Sequence, residues 1–243
     1  MSQRDSYGRV GVDEFLFQGI AWYRSHLELI WPFVVAGIFA LLFELRIETL
    51  ELLYFDDDLS AILSERLAEQ LDAMTNEILW LLILGTALLA LITLLLVVIA
   101  VGFAFLTAAD EHRQRQRLGT TRFRVAVARA PALFVATVVA GLLVGFGLLL
   151  LVIPGIYLAV KFVLAGPAIV ADEQGPFEGL RTSWRQTDGQ FSTVLLLLVL
   201  SGISFILVAL LPLVGELLAV AGVLPVVSLA LAALYFDTLE TAT

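Results

Sequence analysis

The chain contains no cysteine. Disulfides and thiolate metal sites are thereby excluded, and thiol chemistry says nothing of its compartment. Lysine is almost as scarce: of 14 basic residues, Lys161 is the only one that is not arginine. Catalytic signatures are missing too. There is no H-E-x-x-H, no G-x-S-x-G and no P-loop, so no catalytic residue, cofactor or metal site is assigned and the chain is not expected to be an enzyme. His26 and His112 stand far apart, and Asp110-Glu111-His112 reads as a helix-end surface rather than a metal site. Basic charge is outweighed, with 23 acidic residues, a net charge of −9 and a pI near 4.7, which argues against nucleic-acid binding. An acidic, lysine-poor composition suits a halophilic archaeon with high internal salt, where self-repulsion is screened. A GC-rich genome that favours arginine codons is the competing explanation. Residues 1–26 lack an apolar core followed by a small-residue cleavage site, so no cleaved signal is expected.

What the chain has in excess is apolar residues: 60% of 243, with a mean hydropathy of +0.97. They fall into uncharged blocks long enough to cross a bilayer, which takes about 20 residues each. The predicted fold is all-α, a polytopic transmembrane bundle of six spans in three hairpins: residues 27–45, 78–109, 132–153, 156–171, 191–211 and 213–236. The apolar run 132–171 is 40 residues, about 60 Å as one helix. That is twice the hydrocarbon thickness, so Pro154-Gly155 is read as a hairpin turn. The same argument divides 191–236 at Pro212. Pro131 and Pro212 read as helix starts, where a missing N–H costs nothing. Pro167 and Pro225 should kink their spans.

Arginine placement orients the bundle. With both termini in the cytoplasm, the inner segments hold Arg4, Arg9, Arg24, Arg113, Arg115, Arg117, Arg122, Arg124, Arg129, Arg181 and Arg185, and the outer ones only Arg46 and Arg66. The expectation is a multi-pass protein of the cell membrane. The segment 46–77 is predicted as an outer insert holding an amphipathic helix. Asp56-Asp57-Asp58 at its start suits either a helix N-terminus or a cation site.

Each hairpin is preceded by a short amphipathic, arginine-bearing stretch: 12–26, 120–131 and 176–190. Such helices lie in the headgroup layer. Arg124, Arg129, Arg181, Arg185 and Trp184 are therefore candidates for contact with lipid headgroups, membrane lipids being the expected partners. The pattern describes either a threefold repeat or the ordinary character of cytoplasmic linkers. Within the spans, Lys161 is the one deep charge, and Glu216 is predicted at a similar depth near the outer face. An ionisable residue there is a functional candidate by default. The two are expected to face the bundle interior and to pair, as a structural tie or as part of a solute path. Gly141 and Gly145 form a small-xxx-small pair that predicts close helix packing, within the chain or between copies.

One stretch carries a resemblance. Ile153-Pro154-Gly155-Ile156-Tyr157-Leu158, Val160-Lys161, Gly166-Pro167-Ala168-Ile169-Val170 and Gly179-Leu180-Arg181-Thr182-Ser183-Trp184 follow one another in order. The run resembles the membrane domain associated with glycerophosphodiester phosphodiesterases and its stand-alone prokaryotic relatives. It covers about residues 150–189, with looser similarity over 120–236. Gly179-Leu180 departs from the family's usual Ala-Leu. The resemblance implies a helical membrane domain in which Lys161 fills the basic position. The catalytic barrel of those enzymes is absent, so their activity does not carry over. The expected function is a non-enzymatic membrane module, a scaffold or accessory to envelope or lipid processes. The alternatives are a small transporter or channel with a path near Lys161 and Glu216, and a lipid-active membrane enzyme.

Overall fold

A computed structural model describes residues 11–55, 75–114, 118–212 and 214–241. Among them every regular element is helical. In chain order these are α1 (Val12–Ser25), a 3₁₀ turn (Leu27–Leu29), α2 (Ile30–Phe55), α3 (Thr75–His112), α4 (Gly119–Leu150), α5 (Val152–Phe162), α6 (Ala165–Ala171), α7 (Pro176–Gln186), α8 (Phe191–Ala209), α9 (Gly215–Leu218), a π-turn (Ala219–Val223) and α10 (Leu224–Thr241). Six stretches are long and apolar enough to cross a membrane: Leu27–Glu48, Trp80–His112, Gly119–Leu150, Val152–Ala171, Phe191–Ala209 and Gly215–Glu240. This is an all-α polytopic membrane bundle. Its spans place Arg113, Arg122, Arg124, Arg129, Arg181 and Arg185 at one end, called here the arginine-rich end.

The proline readings need correction at three places. Pro131 does not begin a helix; it lies inside the 32-residue α4, which runs unbroken from Gly119. The second hairpin therefore has no separate surface helix, and the unit of surface helix plus hairpin does not recur three times. The reason is local: Pro131 deprives only the Val127 carbonyl of its partner, and Val127 is exposed. The turn between α4 and α5 falls at Leu151, which is extended (φ −160°, ψ 141°), while Pro154 and Gly155 sit in the first turn of α5. There the backbone N–H groups have no intrahelical acceptor, so proline loses nothing. Pro212 lies in the turn before α9, whose first residue is Gly215. At the edges of the expected insert 46–77, α2 continues to Phe55 and α3 begins at Thr75. Asp56, Asp57, Asp58 and Arg66 lie outside the described residues.

The fourth span is interrupted and the sixth carries a π-turn. Pro167 has no N–H for the Val163 carbonyl and its ring crowds that group; α5 and α6 separate at Val163–Leu164. In the sixth span α9, the π-turn and α10 follow in succession, with Pro225 at the start of α10.

The core sits toward the arginine-rich end, where Phe33, Phe103, Leu164, Ile169, Leu229, Leu234 and Tyr235 are fully buried. Toward the α4–α5 turn the hairpin exposes Leu142, Phe146, Leu149, Leu151 and Ile153, as a surface facing hydrocarbon does. The hairpin closes tightly at one point: a Cβ on Gly147 would lie 2.9 Å from the Gly155 Cα. At Gly141 and Gly145, by contrast, an added Cβ would meet nothing within 4 Å, so this pair makes no close packing within the chain.

Two amphipathic helices dock against this core. α1 opens with Asp13 and Glu14, closes with Arg24 and so matches the helix dipole. It buries Val12, Phe15 and Gly19 against α10. Gly19 allows the approach, since a Cβ there would fall 2.7 Å from the Val226 carbonyl oxygen. α7 opens on Pro176 with Glu178 in its first turn and Arg185 in its last, and buries Gly179, Leu180, Thr182 and Ser183. Both therefore rest on protein.

Candidate functional site

The arginine-rich end is where charge, burial and unsatisfied polarity meet. Lys161 closes α5 and is only 2% exposed. Its ammonium pairs with the Asp188 carboxylate and donates to the Trp184 carbonyl at 3.4 Å. It also lies 5.5 Å from the Tyr157 ring centroid and 5.4 Å from that of Trp184, close enough for cation–π attraction. The expected partner, Glu216, is elsewhere: it lies on α9, near enough to Glu44 for the two charges to interact. The expectation of a Lys161–Glu216 pair is thus corrected. The physical reason is the return of α7 against α5, which brings the loop after it onto the lysine. Asp188 was missed, although it is the sole acidic residue between Glu178 and Glu216.

Ser183 fixes that return. Its hydroxyl donates to the Lys161 carbonyl at 2.6 Å and accepts from the Leu164 N–H at 3.1 Å. Two backbone groups freed by the break between α5 and α6 are thereby satisfied, as buried backbone requires. Trp184 packs on Tyr157 and Phe162 with centroids 5.9 and 5.6 Å apart. It serves as one jaw of the lysine clamp rather than as a free interfacial anchor.

The remaining charges sort into paired and unpaired. Arg122 is buried and bonds Asp110 at 2.9 Å and Glu28. Arg113 bonds Asp172 at 2.6 Å and the Ala171 carbonyl at 2.8 Å, and Asp172 also accepts the Tyr235 hydroxyl. His26 lies 2.9 Å from Glu111. Arg129, predicted as a headgroup ligand, is occupied: it reaches Glu173 at 2.8 Å. Of the predicted headgroup arginines, Arg124, Arg181 and Arg185 are exposed and form no ion pair with the described residues. Arg24, not predicted, joins them. Arg115 and Arg117 lie outside the described residues.

Arg185 stands on the wall of an open crevice of about 550 Å³, lined also by Asp172, Gln174, Thr182, Gln186 and Tyr235. The amide oxygens of Gln174 and Gln186 are buried without a hydrogen-bond partner. A buried acceptor left unmet is costly, so this crevice combines a free cation with unmet polarity. Deeper in the bundle lies an apolar cavity of about 470 Å³. Neither Lys161 nor Glu216 lines it. No group of three or more histidine, aspartate or glutamate side chains placed to hold a metal occurs among the described residues.

Fold and site define a polytopic integral membrane protein with a polar, partly unsatisfied end. No family model, curated protein or solved structure matches the chain.

Proposed function

We propose that the chain is a non-catalytic membrane module, a scaffold or accessory in envelope or lipid processes, which holds anionic lipid headgroups at its arginine-rich end. The observation that carries this reading is Arg185 in the polar crevice, without a carboxylate partner, beside Arg181 on the same helix. Every buried cation of the described residues has a carboxylate neighbour, so the exposed arginines are the ones left to meet phosphate. Guanidinium suits that role through its paired donors. In this reading the arginine-rich end faces the cytoplasm, both termini lie there, and the host is the cell membrane, in keeping with the asymmetry of arginine. The resemblance to the membrane domain associated with glycerophosphodiester phosphodiesterases supports a lipid-side role without supplying a reaction. A transporter would need polar groups along a hydrated path, and the deep cavity offers none that is free.

The test is binding of the purified full chain to liposomes of phosphatidylcholine with and without phosphatidylglycerol. Basic residues near an anionic surface contribute about 1 kcal/mol each. The double variant Arg181→Ala/Arg185→Ala should therefore weaken the anionic-lipid preference by roughly 30-fold. A preference unchanged by the variant, or no preference in the native chain, overturns the reading.

A further inference from the structure

We infer that the apolar cavity inside the bundle is a seat for one hydrocarbon chain of a membrane lipid, entering sideways between α4 and α8. This goes beyond headgroup binding and stands on separate observations. The cavity is walled by five spans: Val98 and Phe105 from α3, Ala136 and Gly141 from α4, and further residues from the fourth, fifth and sixth spans, including Leu198 and Leu231. Small side chains carve it. Gly141 has open space where a Cβ would stand, and Ala136, Ala140, Ala159 and Ala165 line the walls.

Its chemistry excludes water as a comfortable occupant. The two hydroxyls on its wall are spent on their own helices: Thr137 donates to the Leu133 carbonyl and Ser228 to the Leu224 carbonyl, each at 2.8 Å. A water molecule needs two to four polar partners, and apolar cavities of about 150 Å³ stay dry and take up small hydrocarbons. This one is about 470 Å³. Empty, its walls would lose dispersion contacts; surrounded by lipid, the available apolar occupant is a lipid chain. The side of entry follows from packing. α4 and α8 both line the cavity yet hardly touch each other, and α8 buries only Val194 and Leu197. The gap between them faces the bilayer.

The experiment is photocrosslinking of the full chain in phosphatidylcholine nanodiscs doped with a phosphatidylcholine that carries a diazirine midway along one chain, with adducts mapped by mass spectrometry. Phe105 and Leu231 are buried at 4% and 9% exposure, whereas Leu142 and Phe146 are 70% and 63% exposed. A chain in the cavity labels Phe105 and Leu231 as well as the two exposed residues. In Ala140→Leu/Gly141→Leu, which fills the space, the labels on Phe105 and Leu231 fall to background and those on Leu142 and Phe146 persist. Labels confined to exposed residues in the native chain overturn the inference, and that arm needs no variant to fold. So do buried labels that survive the filled variant.

Discussion

Two spans of this bundle carry an internal proline, one interrupted and the other continuous through a π-turn, and a helix from outside the span bonds the disturbed backbone of each in a different way. At Pro225 the missing N–H would have gone to the Ala221 carbonyl, four residues back. That carbonyl accepts the Tyr23 hydroxyl of α1 at 2.8 Å. At Pro167 the orphaned group is the Val163 carbonyl, and Ser183 of α7, fully buried, serves two neighbouring backbone groups instead, the Lys161 carbonyl and the Leu164 N–H. Tyr23 satisfies one group from a half-buried position. The difference teaches that a span disturbed by proline can bind a docking helix firmly or loosely, according to how many groups the visiting side chain serves and how buried it is.

The comparison breaks most readily at Ser183. Ser183→Ala leaves the Lys161 carbonyl and the Leu164 N–H unmet, at about 1–3 kcal/mol each. Thermal unfolding in detergent should show a loss of roughly 2–6 kcal/mol, and a loss near zero would mean that the two groups find other partners. Next comes the lysine clamp. Asp188→Asn leaves Lys161 buried without its counter-charge, but the carboxylate is 66% exposed, so the loss is held to about 1–2 kcal/mol. Glu216→Gln should be smaller; the reverse order would restore the Lys161–Glu216 pair. Tyr23→Phe removes one hydrogen bond, and about 0.5–1.5 kcal/mol is expected. Limited proteolysis should then cut α1 sooner than α7, and equal protection of the two helices counts against a looser α1.

The smallest effect is alkaline. Burial raises the Tyr23 hydroxyl above its usual pKa of 10.0. The folded chain thus holds that proton more tightly than the unfolded one. The contribution is complete below pH 10.0 and is lost as pH rises through the higher folded value. Stability should fall more steeply above pH 10.0 in the native chain than in Tyr23→Phe; identical slopes would remove Tyr23 from the account.

Much of the fold was legible because a bilayer demands long apolar runs, and a run twice the needed length must turn. The six spans follow from that alone. Boundaries were less legible, because proline has no single meaning. In the first turn of α5 Pro154 costs nothing, in α4 Pro131 sacrifices one carbonyl bond, near Pro167 the helix is interrupted, and beside Pro225 it passes through a π-turn. Only the surroundings distinguish these cases. The partner of Lys161 was hidden for a related reason. Depth counted along one span favours Glu216, whereas the actual pairing depends on where α7 folds back, and that is set by a serine hydroxyl meeting a broken backbone. The unpaired arginines were partly legible: charge and amphipathicity singled out Arg124, Arg181 and Arg185, but nothing in the sequence showed that Glu173 would claim Arg129.

The bond between Tyr23 and Ala221 has a consequence for assembly. It joins residues 198 apart in the chain, whereas Gly147 and Gly155 meet across a single turn, and closing a long loop carries the larger entropy cost. The α4–α5 hairpin therefore forms as soon as it is made. α1, synthesised first, has no seat until the last span is in place. A chain halted before residue 221 leaves α1 undocked and open to a protease, so the position of the first helix reports whether the last one has arrived.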